Sequence, residues 1–143
     1  MQKSKLSEIF FRLTPNMMSL FRTEVRSNRG SLTVPQFRVL AHISRGFGHI
    51  ADIANLHGVS QPAMSKLVNN LVDKGLVLRE HDSEDRRVIN LFLTKEGSRL
   101  FKSIKLGGQR SFLKRLEKLS EDEINTFYKS CVEVEKIIEK LKG

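Results

Sequence analysis

Residues 50–93 hold two short helical patterns around one glycine, followed by two extended runs joined by a charged loop. Few architectures accept that order at that spacing. Ile50-Ala-Asp-Ile-Ala-Asn-Leu-His57 predicts the first helix, and Gly58 ends it by entering the left-handed conformation without a Cβ clash. Val59 fills the corner. Ser60 offers a side-chain acceptor to the orphan N–H groups of the next helix, and Pro62 falls in its first turn, where a missing donor costs little. Ala54, four positions before Gly58, keeps the crossing of the two helices narrow.

In the second helix Met64, Leu67, Val68 and Leu71 recur at i, i+3, i+4 and i+7 and define the face to be buried. Ser60, Gln61, Pro62, Ala63, Ser65, Lys66, Asn69 and Asn70 form the start and opposite face, with no carboxylate until Asp73. Amides and hydroxyls suit base edges, lysine suits phosphate, and nothing on this face repels a polyanion. Taken alone, the face reads equally well as a solvated surface.

The next segment separates the two readings. Leu76–Glu80 and Val88–Leu93 are strand-like, and His81-Asp-Ser-Glu-Asp-Arg-Arg87 between them is too charged to bury. A hairpin with Arg86 and Arg87 at its tip, Arg79 in its first strand and Asp85 within reach of one guanidinium is shaped to grip a minor groove. A solvated loop of cancelling charges is the plainer alternative. Its position directly after a helix-turn-helix favours double-stranded DNA as the partner.

Leu32-Thr-Val-Pro-Gln-Phe-Arg-Val-Leu40, Ser60-Gln-Pro-Ala-Met-Ser-Lys-Leu-Val-Asn-Asn-Leu71, Gly75-Leu-Val, Asp82-Ser-Glu-Asp-Arg-Arg87 and Leu93-Thr-Lys-Glu-Gly97 follow one another in the order and spacing of a known pattern. In these segments the chain resembles the MarR family (multiple antibiotic resistance regulators) of winged-helix transcription factors, and the resemblance covers nearly all of it. It implies a mainly α, α+β fold: an N-terminal dimerisation helix over 1–30, a winged helix-turn-helix lobe over 31–94, and C-terminal dimerisation helices over 95–143. It also implies that Arg87 reaches a minor groove and Asp85 orients it, while Glu84 stands where family wings often carry arginine. The implied function is that of a homodimeric regulator, more in keeping with a repressor than an activator, on a pseudo-palindromic operator. The resemblance further implies a small-molecule effector pocket between the lobe and the terminal helices, which Phe11, Met18, Phe21, Phe37, His42 and Phe47 would line. For any one of those six, simple core packing is the plainer reading.

The flanking segments are helical in phase. Leu6, Ile9, Phe10 and Leu13 begin an apolar stripe, which Pro15 interrupts, so a kink is expected there with Thr14 capping the second part. Thr33-x-x-Gln36 and Ser120-x-x-Glu123 have capping-box spacing, and Thr94 is expected to cap a helix reaching about Leu119. Gly107-Gly108 inside that helix costs roughly 1 kcal/mol per glycine, and the sequence leaves open a bend, a break or a close backbone approach. Phe127, Cys131, Val134, Ile138 and Leu141 share one stripe of the last helix. Stripes at both ends, with little else to cover them, point to dimerisation, though they could also close a small monomeric core.

Composition agrees with these expectations. The 143 residues suit one modest core, and the net charge of +9 suits a polyanionic partner. The charge is unevenly placed: Ser31–Gly97 holds eight Lys/Arg against seven Asp/Glu. The surplus lies in the flanks, with Arg12, Arg22, Arg26, Arg29, Lys102, Lys105 and Arg110. No signal peptide or bilayer-spanning run is read, so no membrane partner is expected, and a single cysteine fits a reducing cytoplasm. Cys131, on the buried stripe, is expected to be inert. Four scattered histidines lack metal-ligand spacing, and Gly46-Phe-Gly48 lacks the Lys-Ser/Thr of a phosphate loop. Neither an enzyme, a metal nor a cofactor is expected. His57 reads as bonding the last carbonyls of its helix, His49 as standing at a helix start and His42 as partly buried.

Overall fold

The computed structural model describes residues 1–28 and 30–142; Arg29, one of the flanking cations counted above, and Gly143 lie outside them. Six helices and one hairpin follow in order: α1 (Gln2–Asn28), α2 (Val34–Ser44), α3 (Ile50–His57), α4 (Gln61–Asp73), β1 (Val77–His81), β2 (Ile89–Leu93), α5 (Lys95–Leu116) and α6 (Glu121–Lys142). They fall into two compact units, residues 1–108 and 109–143. This is a mainly helical winged helix-turn-helix with a two-stranded antiparallel sheet.

Local chemistry sets the element boundaries. Thr33 Oγ1 accepts from Gln36 N at 3.2 Å while Gln36 Oε1 accepts from Thr33 N at 2.8 Å, closing the capping box that opens α2. Ser60 Oγ accepts from Ala63 N at 3.2 Å to open α4, and Gly58 turns between α3 and α4 at φ 66°. At α6 Ser120 and Glu123 bond reciprocally, at 2.8 and 3.3 Å.

The core of the first unit lies beneath the helix-turn-helix. Leu40, Ile53, Met64, Val68 and Leu71 are fully shielded, with Leu32, Leu91 and Ile104 beside them. Ala54 is buried at the crossing of α3 and α4, where its small side chain was expected. In the hairpin Val77 pairs with Leu93 and His81 with Ile89. Gly48 and His49 add a short third rung: His49 bridges Asn90, and Leu91 N donates to Gly48 O at 2.8 Å. The sequence reading gave this rung no place.

Two glycine sites explain how α5 docks. A Cβ on Gly97 would lie 2.0 Å from the Leu76 carbonyl oxygen, so the first turn of α5 rests directly on that backbone. Thr94 fixes the same junction: its hydroxyl donates to Gly75 O at 2.6 Å and accepts from Gly97 N at 2.9 Å. At Gly107 the space of a Cβ is filled by the Asn28 side chain of α1. α5 continues through both glycines, so no break occurs, and what approaches Gly107 closely is a side chain rather than a second backbone.

Two local expectations are corrected. α1 runs through Pro15 as one helix, and Thr14 does not cap a second part; its hydroxyl donates back to Phe10 O at 2.8 Å. On an exposed helix, water can take the carbonyl that proline leaves without a donor. α5 ends at Leu116, three residues short of Leu119.

Candidate nucleic-acid interface

The exposed face of α4 offers Gln61, Pro62, Ala63, Lys66 and Asn69 to solvent, while Met64, Val68 and Leu71 hold the helix to the core. Three other residues of this face are already engaged. Ser60 Oγ is used in the cap. Asn70 Oδ1 accepts from Gln36 Nε2 at 2.7 Å, and Gln36 is itself buried. Ser65, half-buried, accepts at its carbonyl from Arg79 Nη2 at 3.3 Å, with its hydroxyl 3.5 Å from the same nitrogen. Gln36 therefore braces α4 from α2, and Arg79 braces it from β1. Sequence spacing hid both braces, because their partners lie 34 and 14 residues away.

The tip of the hairpin is built around two aspartates. Asp82 Oδ1 accepts from Glu84 N at 2.9 Å and Asp85 N at 3.2 Å, and its Oδ2 lies 3.4 Å from Asn90 Nδ2. These bonds, the two backbone ones foremost, hold its carboxyl below the ordinary carboxylate range. Asp85 takes Arg87 in a two-pronged pair, Nε to Oδ1 at 3.1 Å and Nη2 to Oδ2 at 3.2 Å. That guanidinium and the Arg87 backbone N–H lower the Asp85 pKa. The Arg87 side chain is 91% exposed, so the pair contributes little stability and serves to aim the cation outward. Arg86 is exposed as well, and its carbonyl lies 2.8 Å from His81 Nδ1. Asp82 was not among the expected site residues, although an aspartate two and three positions before the N–H groups it caps is a readable turn signal.

Within the first unit an open groove of about 1280 Å³ lies between α1, α2, α5 and the base of the hairpin. Of the six residues named for an effector pocket, Met18, Phe21, Phe37 and His42 line this groove and Phe11 and Phe47 do not. Phe11 is 75% exposed against Phe10, and Phe47 packs edge-on to His42 from outside. Phe37 stacks on Phe101 at 5.4 Å, giving an aromatic floor. Arg38, Arg45, Lys102 and Lys105 also line the groove, and no carboxylate does.

His42 meets His57 across the helix-turn-helix, with ring centroids 5.1 Å apart. His57 does not bond the last carbonyls of α3 as expected; its ring turns inward, and Nε2 is buried without a hydrogen-bond partner. Burial, then Arg38 and His42, push its pKa down to about 4. His42 is half-buried as expected and shifts the same way, from burial first and then Arg45 and Arg38.

Residues 31–88 match the family model described as MarR family. The chain is 29% identical over 120 residues to the HTH-type transcriptional repressor MdtR of Bacillus subtilis (strain 168), covering 83% of this chain and 74% of that one. It also superimposes on a MarR family protein from Bacillus stearothermophilus with a TM-score of 0.75 at 20% identity, covering 96% of each chain. Over its winged-helix lobe this chain matches the MarR family, and over nearly its full length it shares that fold. RV1404 from Mycobacterium tuberculosis shares the fold at a TM-score of 0.78 and 19% identity, over 96% of this chain and 94% of that one. The curated relatives are named as HTH-type transcriptional regulators or repressors, and the winged helix-turn-helix of this chain is the DNA-binding form that such regulators share. Among the described residues no helix is long and apolar enough to cross a membrane, and no group of three or more His, Cys, Asp or Glu is placed to hold a metal.

Proposed function

We propose that this chain is a homodimeric cytoplasmic repressor of the MarR family that reads a pseudo-palindromic operator and is released by a small molecule. The observation that carries the DNA reading is the Asp85–Arg87 pair, which spends a carboxylate on aiming one exposed arginine at the end of a rigid hairpin. In this reading Arg87 enters a minor groove, Arg86 grips its wall, and Gln61, Ser65 and Asn69 reach base edges in the adjacent major groove. Lys66 meets phosphate. Asn70, Arg79 and Asp85 act mainly by holding the others in place.

The domain assignment is part of the same proposal: a dimerisation helix over 1–30, a DNA-binding lobe over 31–94 and dimerisation helices over 95–143. Its support is apolar surface left uncovered on the single chain. Leu6, Ile9, Phe10 and Leu13 of α1 are exposed, as are Phe127, Val134 and Leu141 of α6. A second copy would cover them and set two recognition helices on one face of the duplex. Repression is favoured by the name of the relative MdtR. The effector reading rests on the groove, whose aromatic floor and cationic rim suit an aromatic anion.

Selection of bound fragments from the native genome, followed by titration of the selected site, tests this. The parent should bind tightly and lose affinity steeply with salt, whereas Arg87→Ala should bind roughly tenfold or more weaker at matched salt. Equal binding by parent and Arg87→Ala would overturn the wing assignment.

A further inference from the structure

His42 stands where the groove meets the helix-turn-helix. Its ring lines the groove on one side and touches His57, the last residue of α3, on the other. Nδ1 of His42 and Nε2 of His57 are both buried without hydrogen-bond partners, so a change of protonation at either nitrogen breaks no hydrogen bond made there. The charged groups that face His42 are cationic: Arg38 on its own helix, Arg45 at that helix's C-cap, and Lys102 and Lys105 of α5 in the groove lining; the titratable His49 lines the groove as well. No carboxylate lines the groove to offset them. A proton on His42 is therefore opposed twice by the protein itself, by partial burial and by like charge.

An anion in the groove reverses the second of these terms. It cancels the field of the arginines and lysines and gives an imidazolium an opposite charge to face. We propose that His42 takes up a proton when an aromatic anion enters the groove, so that effector binding and protonation are coupled beside the helix-turn-helix. The proposal rests on the effector reading of the groove given above and adds its regulation. By linkage, a ligand that raises the proton affinity of a group must itself bind more tightly as that group becomes protonated. The charge arrives next to His57, at the end of the helix that leads into Gly58 and α4. Occupancy is thereby felt by the element that reads DNA.

The probe is 2-naphthoate, an aromatic carboxylate that stays ionised through the range used, so any pH dependence belongs to the protein. Calorimetric titration of the full chain at pH 6 to 8, in buffers of different ionisation heat, counts protons exchanged on binding. The parent should take up a fraction of a proton approaching one, and its affinity should strengthen by up to about tenfold per pH unit as pH falls. His42→Gln and His42→Phe should bind with no such uptake and a flat pH profile, whereas His49→Gln should keep the parental slope. Binding by the parent without proton uptake, or uptake that survives in both His42 variants, would overturn the coupling and leave the effector groove standing. Absence of 2-naphthoate binding at every pH would overturn both.

Discussion

Around the helix-turn-helix, Leu40, Ile53, Met64, Val68 and Leu71 are sealed from water, whereas α6 buries none of its residues. Both regions carry apolar residues at helical spacing, and both open with capping bonds. They differ in what covers the stripe. The lobe closes over itself because α2, α3, α4 and the hairpin reach one another through turns of a few residues. α6 presents Phe127, Val134 and Leu141 to solvent in the single chain. A periodic stripe thus identifies a face that must be covered without naming the cover, and each prediction below tests one side of that contrast.

The largest effect is expected in the lobe, at Gly97. An added Cβ would meet the Leu76 carbonyl at 2.0 Å, and that oxygen also accepts from Thr94 N at 3.1 Å. Relief requires parting β1 from the start of α5. Gly97→Ala should destabilise the protein by about 3 kcal/mol or more, among the larger single-site effects. Urea unfolding measures it; a loss below about 1 kcal/mol would mean that the docking of α5 is not as close as described.

The second prediction moves to the uncovered helix. Val134 is 48% exposed in the single chain, so Val134→Glu should leave that chain's stability nearly unchanged. In a dimer the same carboxylate would be buried without a partner and would drive the copies apart. DNA affinity should then fall on the order of a hundredfold, and the slope of log K against log salt should shrink by about half, because half the phosphate contacts are lost. Sedimentation decides the assembly. A parent that sediments as a monomer ends the dimer proposal.

How much of this was legible follows the same division. The helix-turn-helix, the helix caps at Thr33, Ser60 and Ser120, and the hairpin were readable because each depends on residues within a few positions. The Gln36–Asn70 and Arg79–Ser65 braces were not, since a buried amide and a half-buried guanidinium have no local signature of their partners. The Gly48–Leu91 rung escaped because a single rung needs no alternation of side chains. Gly97 stood in the sequence as a motif letter and gained its reason only from the Leu76 backbone. Phe11 and Phe47 entered the expected pocket through the family resemblance, and neither is among the residues that line this groove, although Phe47 packs on His42, which does.

Acid separates the two regions next. The folded pKa of His57 lies near 4, below the ordinary 6.5, so its neutral ring contributes stability fully above pH 6.5, and that contribution is lost as pH falls toward about 4. His42 shifts in the same direction. At α6 the titrating cap is Glu123, whose pKa is lowered by the Ser120 backbone and side chain, so its contribution is fully present above the ordinary carboxylate range and is lost only as pH falls through that range toward the lowered value. Between pH 7 and 5 the melting temperature should therefore drop through the lobe, and His57→Phe should flatten that drop. An equally steep fall in the variant would place the acid sensitivity elsewhere.

The smallest effect is expected at Cys131, where the contrast between single chain and assembly is sharpest. The sequence placed this thiol on a buried stripe, yet in the single chain it is exposed, because the neighbouring residues of α6 have no cover of their own. If a second copy supplies the cover, the thiol is shielded in the parent and laid open in Val134→Glu. A thiol-reactive dye should then label the parent more slowly than Val134→Glu, with both in their native state. Cys131→Ser should change DNA affinity by no more than about twofold, since it trades one small side chain for another at a residue given no part in reading DNA. Mild peroxide should leave the parent's DNA binding intact for the same reason of access. Equal labelling rates would mean that Cys131 faces solvent in the assembly as it does in the chain, and the stripe that contains it would have to be covered, if at all, along another edge of α6.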